Sequence, residues 1–371
     1  MHAGPHATGP LATSAVHSRG ADGLVDPAFR GALSDAVALY RHMVTLRLVS
    51  ARMVDLQRSE KVAFHASCLG EEAVIAGAAL AARPNDWVFP GVREWGAALV
   101  RGLPIANYMH HAFGSRTDAA KGHSPPDHPP ARAYRVAPAS GIAGAHVPQA
   151  VGAAWAAKIK KDDVAAIAIF GEGATSSGDF HNAVNFAGVF KPAVVFVCRN
   201  DGREPFASTR ERALAYGVAS ATVDGTDALA VLTVVRAALA RGAEGKGATL
   251  IEALVGPVQA GSAALARVPA DAWARGGVEL LSLAVDPRDP QGPQGPLVDP
   301  IVRLRRVLER EKLLDGGADE AIAKDVRAAI DAAVADAERA GPPATSTIFD
   351  DVYAEVPAHL RAQKESSPWR R

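Results

Sequence analysis

Two short apolar runs, VAAIAIF (164–170) and AVVFVC (193–198), constrain this chain more than any other feature. Neither alternates with polar residues. Each reads as a strand buried on both faces, the condition of a parallel sheet covered by helices. Between them, Phe180, Val184 and Ala187 fall on one helical face. A strand-helix-strand unit brings the chain back beside its own start, with parallel strands about 5 Å apart.

The rest of the chain fits that unit. Residues 28–59 repeat apolar residues at helical spacing. Gly70 and the Pro84-Asn85-Asp86 turn bracket an Ala-rich helix, and Trp87 to Pro90 reads as a short strand. Residues 117–135 are a polar loop rich in His and Pro. HVPQAVGAAWAAKIKK (146–161) is helical, and ATLIEALV (248–255) is a further strand. Residues 286–300 are Pro/Gly-rich and read as irregular, and helices follow near 301–314 and 317–340. The alternation predicts an α/β fold with a mainly parallel sheet flanked by helices. The expected organisation is a loose tail over residues 1–30 and one domain over 31–371, whose part from 301 onward is helical.

Composition excludes some partners. Forty basic residues balance forty acidic ones, so no global charge favours nucleic acid or an anionic membrane. The first 26 residues lack an apolar core of signal-peptide length, and no apolar run approaches about 20 residues. The two cysteines, Cys68 and Cys198, lie far apart. A disulfide framework is not expected, and a reducing cytoplasm fits. Cys198 reads as a buried structural thiol.

Glu172, in GEG, stands just past the first buried strand, and Asp201, in NDG, just past the second. Both belong at the carboxyl edge of the sheet, where open α/β sheets bind ligands. Gly171 and Gly173 permit a tight turn and close approach of a ligand. The N-terminus of the following helix favours an anion there. Two carboxylates beside a phosphate site suit magnesium, which takes a few protein oxygens plus phosphate oxygens. The competing reading is a pair of solvated turn acids. His110, His111, His123 and His128 match no zinc spacing and read as ordinary loop or helix-surface histidines.

The stretch GEGATSSGDFHNAVNFAGVF, with CRNDG after it, resembles the thiamine diphosphate signature of 2-oxo acid dehydrogenases, in the alpha subunit of their decarboxylating component. The likeness runs from about residue 35 to 366 and includes FHASCLGEEA, RPNDWVFPGVRE, VPQAVGAAWAAK, VDGTDALAV, DPIVRLRRVLE and DVYAEVPAHLRAQKES. The last of these, with GEG and CRN, resembles the branched-chain enzyme more than the pyruvate enzyme.

The resemblance implies a thiamine diphosphate-binding fold and an α2β2 assembly with a beta subunit. It also implies a partner acyltransferase whose lipoyl group accepts the acyl unit. It implies thiamine diphosphate and Mg2+ as cofactors, and no catalytic side chain is assigned to this chain. By position, Glu172 and Asp201 match magnesium ligands, with the backbone carbonyl of Arg203 as the third. Arg93 and Arg199 match arginines that grip the diphosphate. Gly171, Gly173 and Ala174 fall where backbone meets the diphosphate, and Ala143 where it meets the aminopyrimidine.

Several positions depart from the family. Val92 replaces the usual Tyr, and SGIAGAH (140–146) replaces a run rich in hydroxyl and amide groups, with His146 in place of Gln. Asp201 replaces Asn and adds a charge. The loop after Gly202 is shortened, and VGPVQAGSAALARV (255–268) lacks the family's active-site histidine. Three functions follow as expectations: a branched-chain 2-oxo acid dehydrogenase alpha chain, a pyruvate dehydrogenase alpha chain, or a non-catalytic paralogue.

Overall fold

A computed structural model describes residues 15–18, 25–201, 208–255, 273, 299–315 and 317–367. Among the described residues five strands form one sheet: β1 (Trp87–Pro90), β2 (Ala166–Gly171), β3 (Val194–Asn200), β4 (Ala219–Asp224) and β5 (Thr249–Leu254). Their order is β1-β2-β3-β5-β4 and every pair is parallel. The α/β class and the parallel sheet expected from the apolar runs are therefore present.

The sheet explains why those runs do not alternate. Ile167, Ile169, Val195 and Val197 enter one apolar core, while Ala166, Ala168, Phe170, Val194, Phe196 and Cys198 enter the other. Successive side chains point to opposite faces, and both faces are covered. The first core holds α1 (Ala36–Arg58), α2 (Glu72–Ala81), α4 (Ile105–Ala112), α8 (Ala228–Ala243), α9 (Pro300–Arg310) and α10 (Ala318–Ala340). The second holds α5 (His146–Lys160), α6 (Gly178–Phe190) and α7 (Thr209–Ala215). The short α3 (Ala97–Val100) follows β1, and α11 (Thr347–Asp350) and α12 (Ala358–Ser366) close the described chain. Among the described residues no helix is long and apolar enough to cross a membrane.

Three features differ from the sequence expectations. First, β4 reads ASATVD, a half-polar segment that no apolar run marks. It is a border strand, as β1 is at the other side, and needs less apolar surface. Second, the tail expected over residues 1–30 is tied down where it is described. Val16 donates to the Thr222 carbonyl (2.9 Å) and accepts from the Asp224 amide (3.1 Å), and Ser18 Oγ donates to Asp227 (2.7 Å). Third, His110 and His111 are not surface residues. Both are buried in α4. His110 bonds Ser115 and Asp336, and His111 bonds Asp118 and the Pro125 carbonyl. His123 is exposed, and half-buried His128 bonds the Pro126 carbonyl. Cys68 and Cys198 are free and buried, and burial pushes the Cys198 thiol up to about 12.

Candidate active site at the carboxyl edge

β2 and β3 run in register, with Gly171 opposite Arg199. Glu172 and Asp201 therefore leave adjacent strand ends. Their carboxyl groups face each other, and both line one cleft of about 480 Å³. Burial, aided by the charge of Asp201, pushes the Glu172 carboxyl above its ordinary range, against a backbone hydrogen bond and the lesser pull of Arg199. Two acids in this position share a proton or take a cation.

The chain turns at Glu172 into a five-residue 3-10 turn, Glu172–Ser176, before α6 begins at Gly178. Ser177 caps α6 by accepting from the Phe180 amide. The backbone nearest the carboxylates thus belongs to that turn and not, as expected, to the first turn of α6. The leading N–H groups of such a turn have no acceptor within it. An added Cβ at Gly173 would meet nothing within 4 Å, so the surface beside Glu172 is open to a ligand.

Arg93 and Arg199 both reach this cleft but in different states. Arg199 is buried, donates from Nε to Glu94 Oε1 at 2.6 Å and pairs with Glu71. Arg93 is partly exposed, donates to the Ser67 carbonyl at 3.0 Å and lies 3.9 Å from Glu71. Arg93 is thus the more accessible cation, while Arg199 stiffens the wall. Gly171 lies directly beside it: a Cβ there would sit 3.4 Å from the Arg199 guanidinium, in ordinary contact.

The opposite lip is the 140–144 loop, which includes Ala143. Gly144 adopts φ +85°, and a Cβ there would lie 2.5 Å from Ser177 Oγ. This close approach packs the loop onto the start of α6. His146 donates from Nε2 to the Ile169 carbonyl at 3.0 Å, and among the described residues its buried Nδ1 has no partner. Burial lowers the pKa of His146, so its imidazole is neutral.

Two acceptor-only carboxylates at a sheet edge fit one side of a hard-cation shell. Among the described residues no group of three or more His, Cys, Asp and Glu could hold a metal alone, so ligand oxygens would have to complete it. Arg203, the third expected ligand, and the 256–268 segment lie outside the described residues. The structure thus brings Arg93, Ala143, Gly171, Glu172, Gly173, Ala174, Arg199 and Asp201 into one cleft. The sequence reading missed Glu71 and Glu94. The signals were the doubled acid of GEEA and the acid beside Arg93 in VREW.

A covered parallel sheet with a carboxylate pair and arginines at its carboxyl edge defines an α/β protein with a charged cleft at the edge where open α/β sheets bind ligands. Comparison narrows the class. Residues 40–255 match the family described as Dehydrogenase E1 component. The chain is 32% identical over 332 residues to the 2-oxoisovalerate dehydrogenase subunit alpha of Bacillus subtilis, covering 86% of this chain and 96% of that one. It is 32% identical over 341 residues to the mitochondrial alpha subunit of Mus musculus, covering 90% of this chain and 74% of that one. It is 30% identical over 338 residues to the mitochondrial alpha subunit 2 of Arabidopsis thaliana, covering 89% and 68%. Transketolase from Campylobacter jejuni aligns at a TM-score of 0.47 and 18% identity, over 81% of this chain and 48% of that one, a likeness too slight to build on. The chain belongs to the dehydrogenase E1 component family, the thiamine diphosphate-dependent 2-oxo acid dehydrogenases. The resemblance carried by GEG and CRNDG is borne out at that level.

Proposed function

We propose that this chain is the alpha subunit of a branched-chain 2-oxo acid dehydrogenase. It would act with thiamine diphosphate and Mg2+ in the oxidative decarboxylation of a 3-methyl-2-oxobutanoate-type acid. The observation that carries the reading is the meeting of Glu172 and Asp201 in the cleft that Arg93 also reaches, in a chain of this family. The relatives named above are 2-oxoisovalerate enzymes, which favours a branched-chain acid over pyruvate.

Glu172 and Asp201 would hold the magnesium ion, with the Arg203 carbonyl beside them. Arg93 would bind the diphosphate, and the backbone at Gly173 and Ala174 would approach it closely. Arg199, fixed by Glu71 and Glu94, would hold the wall of the site in place. Ala143 would meet the aminopyrimidine. The bound cofactor supplies the carbanion chemistry. This chain binds and orients it, and a beta subunit in an α2β2 assembly completes the site. A lipoyl-bearing acyltransferase receives the acyl group. Two free buried cysteines suit the reducing cytoplasm, where we place the complex.

A second reading is a non-catalytic paralogue that keeps the fold and the beta-subunit contact. The histidine-free segment 255–268 and the Val92 and Asp201 replacements favour it. Calorimetric titration of the co-purified αβ complex with thiamine diphosphate, with and without magnesium, separates the two. Magnesium-dependent binding that Glu172→Ala abolishes, followed by turnover of 3-methyl-2-oxobutanoate above pyruvate, supports the enzyme. A folded complex that binds no cofactor supports the paralogue.

A further inference from the structure

Behind the cleft wall lies a buried polar relay that the proposed chemistry does not use. Ser50 Oγ is 3.0 Å from His65 Nε2, and His65 Nδ1 is 3.1 Å from Asp127 Oδ1. The order Ser-His-Asp matches that of a nucleophile, its base and an orienting acid. Here it cannot serve as one. The His65 and Asp127 side chains are fully buried, as is Ser50, so no substrate reaches the hydroxyl. The relay therefore holds something in place.

What it holds is the segment 65–67. Asp127 Oδ2 accepts from the Ala66 amide at 2.6 Å, and its Oδ1 accepts from the Tyr108 hydroxyl as well as from His65. Ser50 also bonds Ser67 Oγ at 3.2 Å. Trp95 donates from Nε1 to the Ala66 carbonyl at 2.9 Å and stacks on Tyr108 at 4.8 Å between ring centroids. The next carbonyl, that of Ser67, is the acceptor of Arg93 Nη1 at 3.0 Å. Arg93 has a competing partner in Glu71, 3.9 Å away. A shift of the Ser67 carbonyl would release Arg93 toward that acid, which lines the same cleft, and change where its guanidinium sits.

We propose that Asp127 is a positioning residue for the active site: through His65, Tyr108 and the Ala66 amide it fixes the Ser67 carbonyl, and so sets where Arg93 presents its guanidinium to a diphosphate. The inference rests on the reading of Arg93 given above. It also gives the polar loop 117–135 a role. That loop supplies the acids of two buried His-Asp pairs, Asp118 to His111 of α4 and Asp127 to His65, and Asp127 is the acid that touches the segment under Arg93. The other pair ties the loop to α4 and makes no contact with residues 65–67.

The two pairs provide the test and its control. The full chain is co-purified with its beta subunit as wild type, Asp127→Asn, Tyr108→Phe and Asp118→Asn. Thiamine diphosphate affinity, kcat at saturating cofactor and Tm are then measured for each. Loss of one charge-assisted hydrogen bond in the relay should weaken thiamine diphosphate binding about tenfold in Asp127→Asn, with kcat nearly restored at saturation. Asp118→Asn should lower Tm and leave the cofactor affinity at the wild-type value. Should Asp127→Asn not fold, Tyr108→Phe carries the test and should weaken binding about threefold. Variants at Asp127 or Tyr108 that lose Tm but bind cofactor as tightly as wild type overturn the proposal. A folded wild-type complex that binds no cofactor instead overturns the proposed function. The relay is then judged by the crystal structure of Asp127→Asn: a broken Arg93–Ser67 bond supports it, and an intact one overturns it.

Discussion

Arg199 donates from Nε to Glu94 Oε1 at 2.6 Å, with both side chains buried. Its guanidinium also meets Glu71, so two acids from separate segments neutralise one cation at the carboxyl edge of β3. Removing one member of a buried ion pair costs about 3–5 kcal/mol, because the partner's charge is left without compensation. Glu94→Ala, which leaves Glu71 in place, should fall near the lower figure. Arg199→Met strands Glu94 and leaves Glu71 only the more distant Arg93, and should cost more. Urea unfolding of the two variants checks the order, and equal losses would contradict the three-member network.

Asp201→Asn replaces the carboxylate that faces Glu172 with a neutral amide. The facing charge pushes the Glu172 carboxyl up after burial, so the variant should let it ionise more readily. It should also remove a repulsion toward phosphate oxygens. Tighter binding of thiamine diphosphate in the αβ complex is the expected result. Weaker binding would show that the second charge serves the metal more than it hinders the anion.

Magnesium and thiamine diphosphate together should stabilise the complex. Ligand at about 100 times its Kd contributes about 2.7 kcal/mol. Thermal scans with both should show a raised Tm that chelation reverses. Glu172→Gln should abolish the magnesium-dependent part of the shift while the apo Tm changes little, since Glu172 is only half-buried.

Asp224 accepts from both Thr226 and Arg303. Burial pushes its carboxyl up, but the Arg303 charge and these hydrogen bonds outweigh that and hold it below the ordinary 3.8. A depressed folded-state pKa contributes stability above the unfolded value, and that stability is lost as pH falls through the folded value. The urea midpoint of the wild type should therefore drop more steeply than that of Asp224→Asn below about pH 4. Parallel curves would rule out this ion pair as a source of acid sensitivity.

Gly144→Ala tests the loop packing. A side chain at φ +85° is strained, and its Cβ would meet Ser177 Oγ at 2.5 Å. The expected loss is about 1–3 kcal/mol, read by denaturant unfolding. No loss would mean that the loop can move off α6 without cost.

The sheet was legible where both faces are buried, because Ile167, Phe170, Val195 and Phe196 leave no polar position in the pattern. β4 was not, because a border strand such as ASATVD mixes polar with apolar residues. Glu172 and Asp201 were legible because one strand-helix-strand unit fixes the distance between their strand ends. Glu71 and Glu94 were not, because each meets Arg199 across long stretches of sequence and no local period encodes that. His110 and His111 looked like surface residues for a related reason. Their acids, Asp336 and Asp118, come from other segments, and pairing is what allows a polar ring to be buried.

The short bridge that Val16 makes to β4 has a bearing beyond holding the segment down. A bare border strand displays a row of free amides and carbonyls, an invitation for a strand of another molecule to add on. Here the chain occupies part of that row with its own residues. Removal of residues 15–18 would bare that part of the row, and clumping of the clipped chain is the expected consequence.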